Sequence, residues 1–273
     1  MKPRQLIFEL YGDYLRHRGG EVRLRGLVAI LGCFGIPDTT VRVVVARMRK
    51  EGWLAGRREG RETVYSLTEE GRGLLAERRD RIYGRAPTPW DGRWHLVAYS
   101  VPETERALRD QLRKKLARHG FGALSPALWL SPHDRTKPVR AAFADQPRVR
   151  LDVFRSDTAG PEEDRSIAAR AWDLAALDRA YQALLAAHAP ALAPLRAEGA
   201  TGHAEDAGGR AALTGRVTLI HDFRPIVFAD PDLPPELLPD DWHGARARAM
   251  FLESLDLSRE PAHAFADRLI AEA

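Results

Sequence analysis

The sequence predicts an α+β multidomain protein in three parts, and three observations carry that prediction. A basic helix-and-ribbon segment lies near the N-terminus, the middle apolar runs follow the order β-α-β-β-α-β, and the C-terminal part reads as helix almost throughout. At 273 residues and 44% hydrophobic content the chain is long enough to bury more than one core. The parts are bounded at 1–85, 90–158 and 162–273.

The first part opens with LIFELYGDYLRH, which puts Leu6, Ile7, Leu10 and Tyr14 at helical spacing before Gly19-Gly20. Glu21 to Leu24 reads as a short strand and Leu27 to Phe34 as a second helix. After Pro37 a third helix follows, with Asp38 expected as its N-cap and Thr39 and Thr40 in its first turn. Val41, Val44, Val45 and Met48 fall at i, i+3, i+4 and i+7, one apolar stripe. Trp53-Leu54 opens a ribbon strand, Glu59-Gly60 signals the turn, and Thr63 to Leu67 alternates as the return strand. Thr68 then reads as the N-cap of a helix through Arg81. Helix, helix, ribbon is the order of a winged helix-turn-helix, in which one helix enters the DNA major groove and the ribbon flanks it.

The helix face opposite the apolar stripe carries Thr39, Val43, Ala46 and Lys50, edged by Thr40, Arg42 and Arg47. Arginine bonds guanine bidentately, threonine bonds base edges, and small apolar groups meet the thymine methyl. Arg57, Arg58 and Arg61 on the ribbon are expected at phosphate or in the minor groove. The alternative is a surface helix whose charges merely face water. Charge follows the same division. Residues 1–85 hold 18 Lys and Arg against 11 Asp and Glu, a net +7, while the whole chain is +4, which leaves −3 beyond. The attraction for a polyanion therefore sits in the N-terminal part.

Several classes are not expected. The sequence has no run of about 18 apolar residues, no signal-peptide pattern, and no amphipathic anchor or lipidation motif, so no membrane role is expected and a cytoplasmic location is. The single cysteine, Cys33, sits among Leu31, Phe34 and Ile36 and reads as a small core residue. Nine histidines are scattered, with no cysteine cluster and no P-loop, so no metal site, cofactor or catalytic residue is expected.

In the middle part, GRAPTPWDGR at 84–93 reads as a linker. Trp94 to Tyr99 is an apolar strand, and a helix runs from Pro102-Glu103 to about Arg118 with Gly120 as its stop. Strands near Phe121–Ala123 and Ala127–Leu130, a helix from about Thr136 to Ala144 and the strand at 149–156 complete a ferredoxin-like pattern. The stretch resembles the small endonuclease-type ferredoxin-like domain of CRISPR adaptation systems. That domain forms dimers and uses an acid at the end of its first strand for metal-dependent cleavage. The matching stretch AYSVPE has Ser100 there, and a hydroxyl cannot supply the anionic ligand that magnesium favours. A structural or dimer-forming role is expected instead of a nuclease. The first helix places Arg106, Arg109 and Arg113 at i, i+3 and i+7, suited to DNA backbone or to the phosphates of an anionic ligand, with a solvated face as the alternative.

In the C-terminal part, Trp172, Leu174, Leu177, Tyr181, Leu184 and Leu185 mark a helix with a long apolar face. Residues 198–210 are Gly- and Ala-rich and polar, the pattern of a mobile loop. A helix is expected from Leu213 to Phe228, and the prolines of 230–244 hold that segment extended. Its acids lack the ligand spacing of a calcium loop. Two helices, about 242–256 and 261–272, would close the part. Trp172 and Tyr181 are candidates to stack an aromatic acyl group, and His221 and Arg224 to meet a thioester or phosphate. Core packing and structural hydrogen bonds are the alternative for all four.

LYGDYLRHRGG (10–20), VRVVVARMRKEGWL (41–54), WDGRW (90–94) and DPDLPPELLPDDWHG (230–244) together resemble the PaaX-type repressors of phenylacetic-acid catabolic operons. The resemblance spans nearly the whole chain. It implies a one-component bacterial transcription regulator that binds palindromic double-stranded operator DNA as a homodimer. In the founding group a small-molecule effector, phenylacetyl-coenzyme A, releases the DNA, so an acyl- or aryl-CoA thioester is the implied ligand. Paralogues answer to other inducers, so a repressor or activator of another catabolic operon stays open. A DNA-directed nuclease and a protein-interaction module are the rival classes.

Overall fold

The computed structural model describes residues 1–84, 89–201 and 206–273, the side chains of residues 80, 198–201 and 206 excepted. The fold is α+β with two antiparallel sheets. Contacts gather the chain into two units, neither a continuous stretch of sequence. One comprises Met1–Arg85, Ala183–Pro225 and Ala245–Ala273, the other Ala86–Gln182 and Ile226–Gly244.

The first unit begins with α1 (Pro3–Asp13), whose proline suits a helix start because its missing N–H has no helical partner there. A single 3-10 turn, β1 (Glu21–Arg23), α2 (Leu24–Gly32) and α3 (Asp38–Lys50) follow. The ribbon is β2 (Leu54–Glu59) and β3 (Glu62–Leu67), joined by a two-residue loop with Gly60 at φ 60, a conformation costly for residues with a Cβ. The strands lie in the order β1-β3-β2. Thr68 caps α4 (Glu69–Tyr83): its Oγ1 accepts from the Gly71 N–H at 3.2 Å and donates to the Gly52 carbonyl at 2.7 Å. Leu6, Ile7 and Leu10 of α1, Leu27, Ile30 and Leu31 of α2, and Val41, Val45 and Met48 of α3 form one buried cluster. Leu213, Val217, Ala262, Phe265 and Ala266 from late in the chain join it. Cys33 packs half-buried at its edge, where burial raises the thiol pKa.

The second unit is built on β4 (Trp94–Ser100), α5 (Arg106–Arg118), β5 (Gly122–Ser125), β6 (Leu128–Ser131), α6 (Thr136–Ala142) and β7 (Arg150–Ser156), with strand order β5-β6-β4-β7. Successive strand residues point to opposite faces, and both faces are covered. Val97, Tyr99 and Trp129 pack against Leu112 and Leu116 of α5 and Val139 of α6. Trp94 and Leu130 pack the other way, against Ile167 and Ala168 of α7 (Pro161–Ala171) and against Leu174, Leu233 and Leu237. The helices α8 (Leu174–His188), α9 (Leu192–Thr201), α10 (Asp206–Ala229) and α11 (Gly244–Glu272) complete the chain.

Four expectations change. Asp38 is not the N-cap of α3: Pro37 takes that position with no side-chain cap, and the Asp38 carboxylate pairs instead with Arg42 one turn on, at 2.7 Å. The two helices expected at 242–256 and 261–272 are one, α11, with Pro261 inside it. A proline there forfeits a hydrogen bond, and the burial of Ala262, Phe265 and Ala266 beyond it offsets the loss. Of the loop expected at 198–210, residues 202–205 lie outside the described residues. The rest is helical, and Gly209 is a contact point in place of a hinge, since a Cβ there would lie 2.8 Å from the Phe265 Cβ. Of the linker expected at 84–93, residues 85–88 lie outside the described residues, and its end is packed. Trp90 packs edge-on to Trp94 at 5.3 Å and donates to the Arg93 carbonyl, while Asp91 pairs with Arg155.

Candidate nucleic-acid interface

The helix α3 has two faces because its valines and methionine recur at helical spacing. Val41, Val45 and Met48 are buried, and Val44 is half-buried against the same cluster. On the outer side Thr39, Arg42, Ala46, Arg47, Arg49 and Lys50 are exposed, Thr40 is half-buried, and Val43 is 68% exposed. A valine that open on a charged face is suited to apolar contact with a partner, and the thymine methyl is one such group.

The exit of α3 is braced. Gly52 takes φ 80, and the Trp53 N–H returns to the Met48 carbonyl at 2.9 Å. Trp53 packs edge-on to Phe8. Arg4 lies 5.7 Å over the Trp53 ring and pairs with Glu51 at 2.7 Å. The Tyr11 hydroxyl donates to the Tyr65 carbonyl at 2.9 Å, tying α1 to β3. These contacts fix the direction in which the ribbon leaves the helix.

Four of the basic side chains are already engaged. Arg42 pairs with Asp38 and Arg47 with Glu51 at 2.8 Å, each across one helical turn. The hydrogen bond from Arg47 is the leading influence that holds the Glu51 carboxyl below its usual range. Exposed pairs of this kind contribute little, so a phosphate or guanine displaces them at small cost. On the ribbon, Arg57 meets Glu21 at 3.0 Å and Glu59 at 3.5 Å, while Arg58 Nε donates to the Gly60 carbonyl at 3.3 Å. Arg61 is exposed at the ribbon tip. Glu62 takes Arg23 at 3.2 Å and Arg25 at 3.0 Å. The ribbon is thus less positive than its arginines suggest. Arg49, not singled out from the sequence, is exposed on α3 with its Cδ alongside Gly56 of β2. Its position beside the basic face was legible from helical spacing.

The candidate effector residues fall in both units. Trp172 is stacked 6.2 Å from Trp94 and packs so closely on Gly122 that a Cβ there would sit 2.5 Å from the indole. Tyr181 is buried, its hydroxyl donating to Asp230 at 2.5 Å. His221 and Arg224 belong to the other unit, and both bind the buried Glu9, at 3.1 and 3.0 Å. Burial raises the Glu9 carboxyl pKa, with Arg224 and His221 opposing. On α5, Arg106 is exposed, Arg109 donates to the Val101 and Pro102 carbonyls, and Arg113 is half-buried. The acids of 230–232 are structural too. Asp230 Oδ1 accepts from the Asp232 N–H at 2.7 Å, and Asp232, at φ 67, pairs with Arg135 at 3.3 Å. Ser100 is exposed at the end of β4. Among the described residues no group of three His, Cys, Asp or Glu is placed to hold a metal, and no helix is long and apolar enough to cross a membrane.

Comparison with known proteins covers almost all of the sequence. Residues 2–71 match the family described as PaaX-like protein, 87–168 the PaaX protein central Cas2-like domain, and 172–268 the PaaX-like protein C-terminal domain. The transcriptional repressor PaaX of Escherichia coli (strain K12) is 34% identical over 255 residues, 90% of this chain and 77% of that protein. Among solved structures, the uncharacterized protein Rv0674 from Mycobacterium tuberculosis superposes with a TM-score of 0.65 at 25% identity. The match covers 94% of this chain and 95% of that one.

Proposed function

Because the chain belongs to the PaaX family of transcriptional regulators, we propose that it is a repressor that binds double-stranded operator DNA through α3 and the β2–β3 ribbon. The observation that carries this reading is the division of α3, which buries Val41, Val45 and Met48 while leaving Thr39, Arg42, Val43, Arg47 and Lys50 to solvent. With α2 before it and the ribbon after it, this is a winged helix-turn-helix in our reading. Thr39, Thr40, Arg42, Val43, Arg47 and Lys50 address base edges, and Arg57, Arg58 and Arg61 the backbone.

The second unit supports a ferredoxin-like reading, since its first strand lies between its last strand and its third. We assign it the contacts of a homodimer. Its edge strand β7 exposes Phe154 at 56%, a large apolar group open to a second copy. Two copies would place two α3 helices in successive major grooves, about one helical turn or a multiple of it apart. In this reading a small anionic metabolite, of the phenylacetyl-coenzyme A type, binds the DNA-free geometry better and so releases the operator. Trp172, Tyr181, His221 and Arg224 are each engaged within the fold and are not assigned to holding it.

Fluorescence-anisotropy binding to the DNA upstream of the protein's own gene, with and without phenylacetyl-coenzyme A, tests the proposal. Salt-sensitive binding that the thioester relieves is the expected result. Binding that ignores the thioester discards the effector and keeps the repressor. No preference over random DNA, with genomic selection also failing, discards the repressor.

A further inference from the structure

Away from the outer face of α3 and the ribbon, the first unit contains an open cleft of about 870 Å3. Its walls come from the end of α1 and the turn after it, and from α4, α10 and α11. Five arginines and two histidines line it against two aspartates, Asp13 and Asp256. Those carboxylates do not cancel the charge. Asp13 is committed to Arg216 by hydrogen bonds of 2.5 and 2.7 Å, and Asp256 reaches Arg259 only at 3.6 Å. Arg18 is held outside the balance by Asp267. Neither Arg16 nor Arg79 has a carboxylate within 4.0 Å among the described residues.

A second observation comes from His263, which lines the same cleft. It is only 8% exposed, it packs against the Tyr14 ring, and its Nε2 meets no hydrogen-bond partner among the described residues. Burial first, then Arg216, Arg18 and His17, hold its imidazole at about 4 against the pull of Asp13. The ring is therefore neutral near pH 7, and its unpartnered nitrogen is a hydrogen-bonding group that the fold leaves unused. Burial also lowers Arg16, with Arg79 adding to it, and lowers His17, with Arg16 adding to it. Cations gathered in a partly desolvated cleft repel one another, and a bound anion reverses that contribution.

We propose that this cleft binds a small phosphorylated molecule, its phosphoryl oxygens held by Arg16, Arg79 and Arg259, with His263 in the cleft wall. Several guanidinium forks around one space match the many acceptor oxygens of a phosphate better than the two of a carboxylate. A concave cleft of this volume suits a small ligand. The helix α4 follows the ribbon directly and α11 faces it across the cleft, so a ligand here bridges the ribbon module to the C-terminal helix. Any consequence for DNA affinity rests on the repressor reading, whereas the site itself does not.

The test is calorimetric titration of the full chain with inorganic pyrophosphate, in the wild type and in Arg16→Gln, Arg79→Gln and Arg259→Gln. Arg150→Gln, an exposed arginine of the other unit paired with Asp152, is the control. We expect saturable binding weakened about tenfold by each cleft variant, equivalent to about 1.4 kcal/mol, and unchanged in the control. The His263 imidazole titration, followed by NMR, is expected to move upward when pyrophosphate is present. No saturable binding at millimolar pyrophosphate, or equal binding by every variant, overturns the proposal. Loss of random-DNA affinity in the cleft variants without any pyrophosphate binding would make the cleft a backbone contact, and overturns it too. Pyrophosphate binding in a chain that prefers no operator upholds the cleft while removing the repressor reading.

Discussion

Arg42 and Arg47 leave α3 toward solvent, each engaged by an acid one turn away. Their worth therefore shows only when DNA replaces those acids. Arg42→Ala or Arg47→Ala is expected to cost about 1–3 kcal/mol on the operator and much less on random DNA, compared by anisotropy at one salt concentration. Equal losses on the two DNAs would move these arginines from bases to phosphate. His263 gives a prediction of another kind. With its pKa at about 4 in the fold and near 6.5 when unfolded, the unfolded chain gains a proton that the folded chain refuses as pH drops through this window. Stability from this group is full above about pH 6.5 and is lost toward pH 4, by at most about 3 kcal/mol. Urea unfolding at pH 7 and pH 5 should show a smaller acid loss in His263→Gln than in the wild type. Parallel losses in the two proteins would mean that the histidine takes up its proton without penalty.

At the scale of elements, α4 separates two glycines that look alike in the sequence. A Cβ on Gly71 would stand 2.8 Å from the Trp53 carbonyl oxygen, a backbone atom fixed by the ribbon, whereas Gly73 has nothing within 4 Å. Gly71→Ala is expected to destabilise by about 1–3 kcal/mol through overpacking, and Gly73→Ala to stabilise by about 0.5–1 kcal/mol through helix propensity. Thermal unfolding of the two variants checks both signs, and a stabilised Gly71→Ala would refute the close approach. The elements of the first part were legible because their signals are local: a valine stripe, a turn glycine, the Thr68 cap. Those of the last part were less so. Glycines at 208–209 spelled a loop, yet the helix exists because Gly209 admits Phe265, a residue more than fifty positions on. Pro261 spelled a break that distant burial overrides.

Within the first unit a buried ion pair ties three helices together. Arg216 and Asp13, 6% and 8% exposed, join α10 to α1, and Arg216 also donates to Ser258 of α11 at 3.2 Å. Asp13→Asn leaves a buried guanidinium without its counter-charge and is expected to cost about 3–5 kcal/mol in denaturant unfolding. The double variant Asp13→Leu, Arg216→Met should recover most of that loss, because it removes both charges together. A single-variant loss under about 1 kcal/mol would show that water reaches the pair.

By itself the sequence determined the α+β class, the two faces of α3, the excess of positive charge in residues 1–85 and, through its motifs, the family. All of these are written in short-range periodicity, turn chemistry and composition, which act within a few residues of one another. Only the tertiary structure decided which side chains are spent on the fold. Trp172 and Tyr181 go to the core, and His221 and Arg224 go to Glu9, a residue about two hundred positions away. The cationic cleft was equally invisible in the sequence, since its arginines come from the turn after α1 and from α4, α10 and α11, far apart in the chain. Chain separation says nothing about distance in space until burial has chosen which surfaces meet.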